Sequence, residues 1–135
     1  MVKIGDNETK KLLFFQQVTG AAARDCIDEE DMITFVASKG EIGKAIGKEG
    51  KNINILEKLL KKKINIIEYS EDATQFVGNI FFPTKVNVSK VGDKILLKVN
   101  DSDRKYIIGK GGKKIKLARE LLKRHFGIDN LKLMD

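Results

Sequence analysis

Ile108-Gly109-Lys110-Gly111-Gly112-Lys113-Lys114-Ile115 is the stretch whose reading decides the fold. Two glycines bracket a lysine and a third glycine, with isoleucines on either side. The pattern occurs earlier as Ile46-Gly47-Lys48-Glu49-Gly50-Lys51-Asn52-Ile53, at an offset of 62 residues from Gly47 to Gly109. One Gly-x-x-Gly is weak evidence. Two copies, each followed by apolar residues at helical spacing, make an internal repeat.

Glycine adopts dihedrals that side chains resist and lets the backbone approach a ligand closely. Placed between two helices, such a loop exposes N–H groups at the start of the second helix, where the dipole favours phosphate. Lys48, Lys51, Lys110, Lys113 and Lys114 add mobile positive charge, and the flanking isoleucines offer an apolar floor. The alternative is a tight helix–helix turn without a ligand. Two equal loops, each with lysine after both bracketing glycines, favour the ligand. A P-loop does not fit, because Lys113 is followed by Lys114 and Lys51 by Asn52. A dinucleotide fingerprint opens at a strand end, whereas short helices are expected before both loops.

Outward from the first loop, Ile53, Leu56, Leu59 and Leu60 predict an amphipathic helix, with Lys51, Lys58, Lys61 and Lys62 off its apolar face. Lys63 to Tyr69 reads as a strand. Upstream lie a short helix over Glu41 to Ile46 and a strand over Met32 to Ala37, with Ile33, Phe35 and Ala37 on one side. A second strand, Ala23 to Ile27, buries Cys26. The acidic turn Asp28-Glu29-Glu30-Asp31 repels phosphate. A first helix, capped by Asp6 or Asn7, turns Leu12, Leu13, Phe15, Val18 and Ala22 to the core and ends at Gly20. Residues 1–5 read as a loose start.

The second half repeats this order. After a linker over Ser70 to Ala73, a helix through Phe76, Val77 and Ile80 stops at Pro83. Strands follow around Val86 and Val88 and around Ile95, Leu97 and Val99. A short helix capped by Asn100, Asp101 or Ser102 runs to Ile108. A long helix carries Ile115, Ala118, Leu121 and Leu122 and ends at Gly127, and a last strand spans Ile128 to Leu133. Apolar positions agree across the offset: Ile33 with Ile95, Phe35 with Leu97, Leu59 with Leu121. The differences fall near the loops, where Glu49 becomes Gly111, Asn52 becomes Lys114 and Asn54 becomes Lys116. The expected architecture is α+β, in two small domains over residues 1–71 and 72–135.

The chain has 135 residues and a formal net charge of +7, from 26 basic and 19 acidic side chains. The first 70 residues carry 12 basic and 11 acidic side chains and the rest 14 and 8, so the second half holds +6 of that charge. A polyanionic partner is therefore expected, drawn more strongly by the second half. One cysteine excludes an intrachain disulfide and fits a reducing, cytoplasmic setting. No membrane span and no signal peptide are expected.

On Ala45 to Ile53 and Ile107 to Ile115, both of the form I-G-x-x-G-x-x-I, the sequence resembles the tandem KH domains of NusA-like transcription factors, in their short archaeal form. The resemblance covers nearly the whole chain. It implies two type II KH domains, each a three-stranded sheet with helices on one face. It also implies single-stranded RNA as ligand, about four nucleotides being clamped by each glycine loop. Carried onto this chain, the RNA-binding residues are Ile46, Gly47, Lys48, Glu49, Gly50, Lys51 and Asn52, and Ile108, Gly109, Lys110, Gly111, Gly112, Lys113 and Lys114, with Ile53 and Ile115 in support. The implied role is transcription elongation, termination or antitermination with RNA polymerase, by a monomer. Ribosome biogenesis or association, and a protein-interaction scaffold, are the other readings.

Little else suggests chemistry. One His and one Cys cannot close a zinc site, so no metal or cofactor is expected. His125 suits the last turn of its helix. Asp101 and Asp103 read as capping or solvated residues, and no charged cluster has catalytic spacing, so an enzyme is not expected. Tyr69 and Tyr106 are open to two readings, base stacking or half-buried core.

Overall fold

The structure is a computed structural model and describes residues 6–135. The loose start expected over residues 1–5 lies outside the described residues, as does the side chain of Asp6, a candidate cap. The chain divides into two compact units, one ending at Ser70 and the other running from Glu71 to Asp135.

In the first unit, α1 (Asp6–Thr19) leads into β1 (Ala23–Asp28) and β2 (Met32–Ala37), and α2 (Ile42–Ile46) and α3 (Lys51–Leu60) into β3 (Lys63–Glu68). The sheet order is β1-β2-β3. β1 runs antiparallel to β2, with Cys26 opposite Phe35. β3 runs parallel, with Ile66 opposite Phe35. A parallel neighbour needs a crossover, and α2, the glycine loop and α3 supply it. Ile33, Phe35 and Ala37 face a core that takes Phe15 from α1, Ala45 from α2 and Leu56 from α3. Phe15 stacks on Phe35 at 4.5 Å between ring centroids.

Two expected core residues point outward: Leu13 and Leu59 are both 58% exposed. Phe15 centres the buried face of α1, and Leu13, two residues away, lies about 200° round the helix. Leu56 centres that of α3, and Leu59 falls off its edge. Ala22 follows the end of α1, and Ala21 is the buried residue there. β2 is the middle strand and is buried on both sides, Thr34 and Val36 included.

The acidic turn is partly neutralised. Asp28 accepts from Lys62 at 2.8 Å and pairs with Lys11 at 3.0 Å. The hydrogen bond from Lys62, then that from Lys11, hold its carboxyl below the usual aspartate range against the opposing effect of burial. A depressed folded-state pKa contributes stability above the unfolded pKa and loses it as pH falls through the folded value. Asp28→Asn should therefore cost about 1 kcal/mol near neutrality, a modest figure because the pairs are partly solvated. The gap to the parent should close below the ordinary aspartate range in urea melts. A difference independent of pH would show that the pairs do not contribute.

In the second unit, α4 (Ala73–Phe81) precedes β4 (Asn87–Val91) and β5 (Lys94–Lys98). Then come α5 (Arg104–Ile108), α6 (Lys113–Phe126) and β6 (Asn130–Leu133). The sheet order β4-β5-β6 repeats the antiparallel and parallel pairings. Its core takes Phe76, Val77 and Ile80 from α4, Ile95 and Leu97 from β5, Ile107 from α5 and Leu121 and Leu122 from α6. α4 is capped by Asp72, which accepts from Thr74 N at 2.9 Å. The expected cap of α5 is replaced by a 3₁₀ turn over Asp101–Asp103 with no side-chain cap bond, because a tighter turn absorbs the first free amides. Gly127 closes α6 in the left-handed conformation. The last strand starts at Asn130, two residues after Ile128. His125 packs edge-on against Phe76, centroids 5.7 Å apart, and so joins α6 to α4.

Candidate nucleic-acid interface

α2 and α5 each hold one alanine or isoleucine fully in the core: Ala45 and Ile107 are 0% exposed. The next residue is left at the surface. Ile46 is half-buried and Ile108 is 37% exposed. Gly47 and Gly109 then turn the chain at φ 79, ψ 164 and φ 77, ψ 170, a region that is essentially glycine's alone. A 3₁₀ turn follows, closed by Gly50 N donating to Gly47 O, and Gly112 N to Gly109 O, both at 3.1 Å. Gly50 and Gly112 are left-handed at φ 75 and φ 77 and open α3 and α6.

The two loops agree in φ and ψ to within about 10° at every glycine position and at the Glu49/Gly111 position. A construction repeated that closely follows from a shared steric requirement. A Cβ on Gly47 would sit 2.9 Å from the backbone N of Asn52, and one on Gly109 2.8 Å from that of Lys114. The first glycine of each loop thus lets the second helix pack on the turn.

These turns use part of what the helix starts were expected to offer. The amides of Gly50 and Lys51, and of Gly112 and Lys113, donate to carbonyls inside the turn. The turn bonds leave unused the amides of Lys48 and Glu49, and of Lys110 and Gly111. The side chains of Lys48, Lys51, Lys110 and Lys113 are exposed around them. Asn52 acts differently from its neighbours: its Nδ2 donates to Lys44 O at 2.9 Å and ties α3 to α2. Lys114 occupies the same place in the second unit and is half-buried there, and burial pulls its ammonium below the usual lysine range. Ile53 is half-buried and Ile115 only 8% exposed, so both mainly support the turn.

Glu49 adopts φ 55, ψ 29, where Gly111 stands in the second loop. A side chain there is strained by roughly 1 kcal/mol. Glu49→Gly should raise the stability of the first unit by up to about 1 kcal/mol and strengthen polyanion binding at low salt a few-fold, because it removes both strain and a carboxylate. Denaturation midpoints and polyanion titrations read the two effects separately. A lower midpoint would mean that the Glu49 side chain holds the loop.

The structure adds residues that the repeat does not single out. Lys58 and Ile55 join Lys48, Glu49, Lys51 and Asn54 around a surface concavity on the first loop and α3. Lys58 sits two turns past the loop, where only helical geometry brings it near. The repeat offers no hint of it, because Glu120 holds that place in the second unit. The tyrosines separate: Tyr69 is 8% exposed and covered by the Arg24 guanidinium at 3.8 Å, whereas Tyr106 is 56% exposed. Among the described residues no group of three or more His, Cys, Asp or Glu is placed to hold a metal ion. No helix among them is long and apolar enough to cross a membrane.

Comparison with known proteins meets this geometry from outside. The KH-domain family profile matches residues 11–94, from within α1 through the rest of the first unit to the start of β5. A probable transcription termination protein NusA of Methanocaldococcus jannaschii is 33% identical over 98% of this chain and 75% of its own length. One of the same name from Halococcus morrhuae is 31% identical over 98% of both chains. The crystal structure of APE1850, 35% identical, aligns over 97% of this chain and all of its own with a TM-score of 0.79. With two glycine loops of one construction and relatives matched over nearly all of this chain and at least three quarters of their own length, the chain belongs to the KH-domain family, among its archaeal NusA-like proteins.

Proposed function

We propose that the protein is an RNA-binding transcription termination or antitermination factor. In this reading each unit is one type II KH domain, with domains over residues 1–71 and 72–135. The observation that carries it is the pair of loops at Gly47–Gly50 and Gly109–Gly112, alike in backbone and ringed by exposed lysines. Each loop can take the phosphates of a short single-stranded segment on Lys48 and Lys51 or Lys110 and Lys113, while Ile46 or Ile108 meets a base. The relatives named probable transcription termination protein NusA support a role in termination for such binding, with RNA polymerase as its partner in this reading. Asn52 and Lys114 serve this site by bracing the turn. Nothing in the site calls for catalysis.

Titration of fluorescent single-stranded RNA with the Lys110→Asp/Gly111→Asp variant tests the clamp. The expected result is a loss of affinity in a protein that keeps its amide spectrum. Unchanged affinity in the folded variant would sink the glycine-loop mechanism. Retention of RNA polymerase from an extract by the tagged parent chain tests the partner.

A further inference from the structure

The second unit carries a cleft whose lining includes none of the glycine-loop residues. It lies between α4 and the β4–β5 pair and encloses about 710 Å³, a size within the roughly 300–1,000 Å³ of small-ligand sites. Three features of its wall go together. Phe82 lines it and is 79% exposed, an aromatic ring that the core does not use. Lys85 and Lys98 line it as well, both exposed, and no carboxylate does. The amides of Asn79, Asn87 and Asn100 supply donors and acceptors along the same wall. One is held in place, since Gln75 Nε2 donates to Asn79 Oδ1 at 2.9 Å.

An aromatic face, amide groups able to meet a base edge and unopposed cations are the three things a nucleotide needs from a protein surface. A peptide strand laid along β4 would use the cations only through acidic side chains, and it would not call for the aromatic face. We propose that this cleft binds a nucleotide of single-stranded RNA, its base stacked on Phe82, its edge on the amides and its phosphate on Lys85 or Lys98. The proposal rests on the RNA-binding reading and adds to it a contact outside both glycine loops. It makes the second unit a two-point binder.

The test is amide NMR of the full-length chain titrated with adenosine 5′-monophosphate, then with a single-stranded oligoribonucleotide. Saturable shifts are expected at the side-chain NH₂ signals of Asn79, Asn87 and Asn100. Phe82→Ala, which removes a ring outside the core, should weaken nucleotide binding there roughly tenfold, and Phe82→Tyr should keep it. Lys110→Asp should leave it unchanged. Shifts that do not saturate, or equal affinity in Phe82→Ala, overturn the cleft. So does a response of these amides to a peptide and not to the nucleotide. If Phe82→Ala changes nothing while the loop variant loses oligonucleotide, the cleft fails and the glycine-loop reading stands. If the cleft saturates while the loop variant binds oligonucleotide normally, the loop reading fails and the cleft stands.

Discussion

Gly109→Ala is expected to lower the stability of the second unit by roughly 3 kcal/mol, and Gly47→Ala to do much the same to the first, whereas Gly111→Ala costs about 1 kcal/mol. All three positions have positive φ, but Gly47 and Gly109 lie where essentially only glycine goes and Gly111 lies in the milder left-handed region. Surroundings widen the difference. The Cβ added at Gly109 would lie 2.6 Å from Lys114 Cβ and 2.8 Å from Lys114 N, and neither atom can swing away without moving the first turn of α6. At Gly47 the atoms met are Asn52 N and Cγ, both at 2.9 Å, and displacing Asn52 also breaks its hydrogen bond to Lys44 O. At Gly111 the added carbon meets nothing within 4 Å, and only the left-handed conformation opposes it. Urea unfolding followed by resolved amide signals separates the two units. The first unit has a second probe in Cys26, buried in its core with its thiol pushed up to about 12 by burial, so that labelling reports opening. Equal midpoints for Gly109→Ala and Gly111→Ala would show that the turn relaxes around the extra carbon.

What could be read in advance follows from the same steric facts. The loops were legible because a backbone that only glycine can adopt leaves glycine in the sequence, twice and at a fixed offset. The element order was legible because strand and helix periods differ. Packing around those elements was not. Leu13 and Leu59 have the hydrophobicity of core residues, and only the placement of Phe15 and Leu56 turns them outward. Thr34 reads as the solvent side of a strand, but β2 is central and both its sides are covered. Asp72 looked like part of a linker until α4 was seen to start on its carboxylate. Asn52 looked like a ligand contact, yet its amide reaches back eight residues to a carbonyl that no spacing rule points to. Phe82 is placed beside Lys98 by a hairpin that brings residues far apart in sequence to one wall.

Converting both loops to the same Gly-Asp-Asp-Gly should affect RNA binding unequally. Lys110→Asp/Gly111→Asp is expected to weaken single-stranded RNA binding about thirtyfold at low salt, and Lys48→Asp/Glu49→Asp about threefold. The end points are alike, so the difference measures what each loop starts with. The second loop loses a lysine and gains two carboxylates beside Lys113 and near Lys116. The first loses a lysine too but gains only one carboxylate, because Glu49 already stands at the strained position and is replaced there by another acid. Thirtyfold is about 2 kcal/mol, the scale of two or three phosphate contacts reversed in a solvated site. A contact of that kind also leaves an ionic signature: the dependence of log affinity on log salt should flatten by about 0.7 for each phosphate released. Lys58, on α3, tempers the contrast, since it gives the first unit a cation where the second has Glu120. Backbone conformation is not the variable, because Gly111 has open space for the new side chain and aspartate tolerates the left-handed region. Equal losses from the two double variants, in proteins with intact amide spectra, would mean that both loops hold RNA alike and that Glu49 points away from it.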